Sequence, residues 1–285
     1  MRGREYLKTW ALLLCLSLLV GLGGLVTSCT TAPITGRRQL ILISPTEELQ
    51  LGMKEFEKLK KELPISTNKA AQAMVERVGR RIAAVADLPN AEWEFVLFEN
   101  KEPNAFCLPG GKVGVFTGIL PIAKNEAGLA TVIGHEVGHA IAHHGAERIT
   151  EAMLLSTGGK LLAGALDLND PRTLQAFSLA YGVGTQVLVA LPHSRLQEEE
   201  ADHIGLMLMA RAGYDPKEAI EFWQRFAAWS KKHGGSHLPV FLRTHPLDEQ
   251  RIENLKCLLP IAEREYELAL QQGQAGTTKT DNRKR

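Results

Sequence analysis

The chain has 285 residues, 45% hydrophobic and 23% charged, a globular composition that excludes a disordered or collagen-like chain. Lys and Arg number 33 against 32 Asp and Glu, a net charge of +1, so the charge balance gives no case for a nucleic-acid partner. Four cysteines are too few for a disulfide scaffold, and the length suffices for one large domain with a real core.

Arg2, Arg4 and Lys8 precede an apolar run over 10–26, the pattern of a signal peptide or signal anchor. The run is short for a permanent membrane span and is interrupted by Gly21, Gly23 and Gly24. Val26-Thr27-Ser28-Cys29 has the order of a bacterial lipobox, in which small residues fit the signal peptidase and the Cys29 thiol takes the lipid. A plain signal anchor with an incidental cysteine is the alternative; the short span favours the lipoprotein. Residues 1–28 are then a signal peptide and 29–45 a lipidated tether holding a short strand at 39–43. The mature chain keeps 30 basic and 31 acidic residues. Thr30 stands where an aspartate would be the inner-membrane retention signal, which favours the outer membrane and its periplasmic face. Cys107 and Cys257 remain, and their pairing is open.

Ser44-Pro45 ends the strand, and Thr46-Glu47-Glu48 opens an amphipathic helix with Leu49, Met53, Phe56 and Leu59 at helical spacing, stopped by Pro64. A second helix is predicted over 70–86, with Met74, Val78, Ile82 and Val85 on one face. Residues 93–98 have strand composition, and 106–108 and 113–116 read as two short strands around the turn Pro109-Gly110-Gly111-Lys112. A long helix follows over 127–149. Residues 153–191 are apolar and punctuated by glycine, helical in pieces. Helices at 194–212 and 217–232 come next, separated by Gly213-Tyr214-Asp215-Pro216; the second carries Phe222, Trp223, Phe226 and Trp229. A closing helix begins near 246, and 271–285 is polar enough to predict a disordered tail. No internal repeat or second domain is visible. The expectation is one α+β domain over 46–270, mostly helical, with a small sheet ahead of the main helix.

His135-Glu136-Val137-Gly138-His139 is an HExxH motif inside the long predicted helix. Histidines at i and i+4 share a face, so both imidazoles can hold one Zn²⁺, and Glu136 between them can act as general base on a water and then protonate the leaving amine. A catalytic zinc needs a third protein ligand. The spacing that would supply a third histidine downstream holds Ala142 and Gly145, so that option fails. Glu198-Glu199-Glu200-Ala201-Asp202 offers a carboxylate from a later helix. Glu198 and Asp202 share a face, the first placed to reach a metal and the second to receive a histidine N–H. Glu200 also qualifies on helix geometry, whereas Glu199 reads as a solvated position.

The chain resembles the HExxH zinc metallopeptidases of family M48, in particular their compact periplasmic lipoprotein type, with Oma1-like and CAAX-processing proteases as distant kin. The resemblance runs in order through Thr35-Gly36-Arg37-Arg38, Asn104-Ala105-Phe106, Pro109-Gly110-Gly111, the HExxH, His144-Gly145-Ala146-Glu147-Arg148, Ser194-Arg195 with Glu198 to Asp202, Gly213 to Pro216, and Thr244-His245-Pro246. It implies a zincin-like (gluzincin) fold, one Zn²⁺ per chain held by His135, His139 and Glu198, Glu136 as base, and Asp202 behind a ligand. It implies that His245 contacts the metal or the tetrahedral intermediate, or closes the resting site as a fourth ligand. It makes Asn104, Ala105 and Phe106 an edge strand to which an extended substrate adds through backbone hydrogen bonds. The implied activity is endopeptidase cleavage of misfolded or stalled envelope proteins, with a latent or chaperone-like lipoprotein on the same fold as the alternative. The glycine-punctuated 153–191 segment would serve the latent form as a lid. His143, His193, His203, His233 and His237 read as surface or packing residues, and His144, three residues before Glu147, as helix support.

Overall fold

The computed structural model describes residues 29–33, 35–157, 173, 175, 194–233, 240–246 and 249–281. The expected signal segment and nearly all of the expected lid lie outside them. Cys29–Thr31 (β1) pairs antiparallel with Arg38–Leu40 (β2), so the tether folds back on itself as a two-stranded ribbon, with β2 shorter than the expected strand at 39–43. Ser44 then caps Pro45–Glu62 (α1). Its hydroxyl accepts from the Glu47 N–H at 3.3 Å while the Glu47 carboxylate accepts from the Ser44 N–H at 2.9 Å. This reciprocal box satisfies two N-terminal donors and fixes where the helix begins. Lys69–Ala83 (α2) is capped in turn by Asn68.

Glu94–Phe98 (β3), Ala105–Leu108 (β4) and Lys112–Phe116 (β5) form a sheet of order β3-β5-β4, with β5 parallel to β3 and antiparallel to β4. The strands do not alternate between buried and exposed residues, because both faces are covered. Phe95, Leu97, Ala105, Cys107, Val113 and Val115 join the main core with α2 and the central helix. Val96, Phe98, Phe106, Leu108 and Phe116 join a second cluster with Leu51, Phe56 and Leu59 of α1. A sheet between helical layers is the arrangement in which strands read as continuous apolar runs.

A 3₁₀ turn and a short helix, Leu120–Ala123 (α3), lead into Glu126–Ile141 (α4), which carries the HExxH and packs on β4, α2 and the helices that follow. The single helix predicted over 127–149 is in fact two. It breaks after Ile141, His143 takes the left-handed conformation at φ 55°, and His144–Thr157 (α5) sets off anew. No glycine or proline marks this break in the sequence; an L-residue at positive φ is uncommon and has no compositional signature.

Arg195–Arg211 (α6) begins with a second capping box, Ser194 with Gln197. It lies on α4 at backbone contact. A Cβ built on Gly205 would stand 2.7 Å from the His135 nitrogen, and one on Gly138 would stand 2.8 Å from the Ala201 carbonyl oxygen. Lys217–His233 (α7), Val240–Thr244 (α8) and Glu249–Asp281 (α9) complete the described chain. The α9 helix runs as far as Asp281, into the region predicted to be a disordered tail. Gln271, Gln272, Gln274 and Ala275 are adequate helix formers and extend it, while Gly273, Gly276 and the threonines beyond weaken it.

Candidate active site

The two HExxH histidines leave the same face of α4, as their spacing requires. His135 Nε2 and His139 Nε2 stand 3.0 Å apart, and His245 Nδ1 lies 3.2 Å from His135 Nε2. The Gly205 and Gly138 contacts bring α6 so close that Glu198 reaches both rings, at 3.5 Å to His135 Nε2 and 3.3 Å to His139 Nε2. His245, just past α8, places Nδ1 2.9 Å from Glu198 Oε1. One donor atom from each of His135, His139, Glu198 and His245 falls within 4.8 Å of the others, and all four residues are buried. Contacts with Glu198 do not account for imidazole nitrogens standing 3.0 and 3.2 Å from one another. A cation at the centre of the cluster does, and nitrogen with oxygen donors in this number suits zinc.

Three of these four candidate ligands are held from behind. His135 Nδ1 is 2.9 Å from Asp202 Oδ1, so Asp202 takes the outer N–H and leaves Nε2 free for a metal. Arg251 on α9 donates to Glu198 Oε2 at 2.9 Å and to Asp202 Oδ1 at 2.7 Å, and its guanidinium lies 3.4 Å from the centre of the Trp223 ring. This buried arginine is absent from the sequence reading. It has no helical spacing to the motif and arrives only because α9 crosses α6. His139 Nδ1 stands 2.7 Å from His144 Nδ1, and His144 Nε2 stands 2.8 Å from Glu200 Oε2. His144 therefore touches a candidate ligand instead of merely supporting its helix. Glu200, which helix geometry left as an alternative third ligand, faces His144 and Arg37 and stays out of the cluster.

The electrostatics separate the carboxylates. Burial raises the pKa of Glu136, as a base working near neutral pH requires. Burial also acts to raise that of Glu198, but the charges of His245 and Arg251 act against it, and the group is held well below the usual carboxylate range. Burial likewise drives His139 far below an ordinary imidazole, which keeps it neutral and able to bind metal. Among the described residues none donates a hydrogen bond to the buried Glu136 Oε1; His245 Nε2 is 3.4 Å away. An unsatisfied carboxylate oxygen beside the cluster fits a reacting water or amine.

Ala105 and Phe106 open β4, with Asn104 just before it, and β4 is an outer strand among the described residues. The Phe116 N–H donates to the Asn104 carbonyl at 2.9 Å. With Phe106 opposite Gly114, the antiparallel alternation turns the backbone groups of Asn104 and Phe106 toward β5 and those of Ala105 and Cys107 outward. Phe106 fills the second core cluster. Cys107 and Cys257 are free thiols, the first buried and the second exposed. Burial pushes the Cys107 thiol upward, so it stays protonated and unreactive.

These features define a metallopeptidase site, and the chain belongs to peptidase family M48, whose profile matches residues 69–258. It is 37% identical over 234 residues to the mitochondrial metalloendopeptidase OMA1 of Schizosaccharomyces pombe, covering 81% of this chain and 66% of that protein. The OMA1 of Saccharomyces cerevisiae is 35% identical over 260 residues, covering 85% and 72%. The beta-barrel assembly-enhancing protease of Escherichia coli is 26% identical over 232 residues, covering 80% of this chain and 47% of that one. The chain thus spans from about half to about seven-tenths of the length of these three relatives. Among the described residues no helix is long and apolar enough to cross a membrane.

Proposed function

We propose that the chain is a zinc-dependent endopeptidase of the bacterial cell envelope that hydrolyses misfolded or stalled envelope proteins. His135, His139 and Glu198 would hold the metal, with Asp202 and Arg251 orienting them. The observation that carries the reading is the convergence of these donors beside Glu136, whose buried Oε1 has no hydrogen-bond partner among the described residues. Zinc in such a site supplies Lewis acidity, lowering the pKa of water and polarising a carbonyl. Glu136 takes the proton as the water oxygen bonds to the peptide carbon, and returns it to the amine nitrogen as the C–N bond breaks. An extended substrate would add to the outer edge of β4 through the backbone of Ala105 and Cys107, which favours unfolded chains of little sequence preference. Lipidation at Cys29 would keep the enzyme on the membrane surface, and the outer membrane is the compartment that Thr30 favours.

Stripping the full chain of metal with a chelator should abolish casein cleavage, and one equivalent of Zn²⁺ should restore it. Undiminished cleavage by the stripped protein contradicts the proposal. The contacts of His245 with Glu198 and Glu136 favour a second reading in which the resting enzyme is latched. On that reading His245→Ala raises the basal rate of casein cleavage severalfold, whereas a fall in rate assigns His245 to transition-state contact.

A further inference from the structure

We infer that the tether after Cys29 is part of the metal site: Arg37 and Thr35, through Glu200 and His144, position the ligand His139. The inference rests on His139 holding the metal as proposed above. Arg37 follows the turn between β1 and β2 and meets two helices at once. It binds both oxygens of Glu147 on α5, at 2.6 and 2.7 Å, and donates Nε to Glu200 on α6 at 3.0 Å. The Thr35 hydroxyl donates to the other Glu200 oxygen. Gln197 donates to Glu147 at 2.7 Å, tying α6 to α5 beneath the tether. Glu147, Gln197, Glu200 and His144 are all buried.

The hydrogen-bond sequence has one consistent direction. Glu200 is a carboxylate held by Arg37, so it accepts from His144 Nε2–H. His144 Nδ1 is then an acceptor and receives a hydrogen bond from His139 Nδ1–H at 2.7 Å. That fixes the tautomer of His139 whose lone pair on Nε2 points at Glu198 and His135. A carboxylate behind a metal-bound histidine orients the ring and raises its basicity; losing such a partner typically costs about 10- to 100-fold in metal affinity. Here the carboxylate acts through a second imidazole, and a residue of the tether holds the carboxylate. The break at His143 makes this possible. On a continuous helix His144 would sit five residues beyond His139 and face elsewhere, whereas the left-handed His143 turns it back.

The test is zinc affinity of the full chain, read by competition with a chromophoric chelator, alongside the melting temperature of the metal-free protein. Arg37→Met and Glu200→Gln should each weaken zinc binding by about tenfold. The double variant should be little worse than either alone, since both break one relay. Arg77→Met, which removes an exposed ion pair with Glu126 far from the relay, should leave affinity unchanged. Unchanged affinity in Arg37→Met and Glu200→Gln would overturn the relay. So would a loss that matches the fall in metal-free melting temperature and appears equally in Arg77→Met. A wild-type chain that binds no zinc would overturn the metal site itself, and the relay with it.

Discussion

Glu136 and Glu198 are buried carboxylates of one cluster, yet their surroundings drive them in opposite directions. Glu198 is surrounded by His245, Arg251, His135 and His139 and is held low; at Glu136 burial outweighs the charges of His245 and His135, and the group is raised. Two carboxylates pushed apart in this way divide into a ligand and a base. His143 gives a separate test at this scale. Its hydrogen bond to Glu48 at 2.8 Å raises its pKa above the ordinary 6.5, against the opposing effect of burial. A raised folded-state pKa contributes stability that is complete below the unfolded value and is lost as pH rises through the folded one. His143→Asn, which tolerates the left-handed backbone, should therefore lower the melting temperature most below about pH 6.5 and converge with wild type at alkaline pH. An equal difference at every pH would contradict the ion pair.

Among the elements, α4 and α6 matter most, because their backbone contact brings a carboxylate from one to the histidines of the other. Gly205→Ala must push the His135 backbone away, and we expect a loss of about 1–3 kcal/mol together with weaker zinc binding. Gly273→Ala, where a Cβ would meet nothing within 4 Å, should be neutral or stabilising by up to ~1 kcal/mol. Wild-type melting and zinc affinity in Gly205→Ala would show that the close packing is dispensable. This scale also explains what the sequence reveals and what it conceals. The pairs His135 with His139 and Glu198 with Asp202 are legible because each is i, i+4 on one helix, and helical periodicity is a local property. Arg251 and the His144 relay are not legible, since each depends on how separate elements cross or on a positive-φ residue that no glycine announces. His245 was visible only through the family resemblance. Spacing alone would leave it a loop histidine; in the fold it is buried against the rings of Phe241, His135 and His139.

Over the whole molecule, the peptidase unit and its address are separable. The yeast OMA1 relatives, anticipated as distant kin, align over more than four-fifths of the chain at higher identity than the Escherichia coli protease. The sequence Val26-Thr27-Ser28-Cys29, which has the order of a lipobox, is what argues for the proposed bacterial envelope. If Cys29 carries the lipid, Cys29→Ser should abolish incorporation of labelled palmitate and release the chain from membranes; retained label would refute the anchor. The small sheet and the helix order follow from composition and periodicity, but its burial on both faces does not. The strand composition of 93–98 does not show that the sheet is covered by α1 on one side and by α2 and α4 on the other. The central claim for the molecule is that this buried cluster hydrolyses peptide bonds with Glu136 as base. The direct measurement is casein cleavage by the zinc-loaded full chain beside Glu136→Gln, with bound zinc determined in both. The account predicts equal zinc content and a loss of rate of at least about a hundredfold in the variant; equal rates at equal zinc would contradict it.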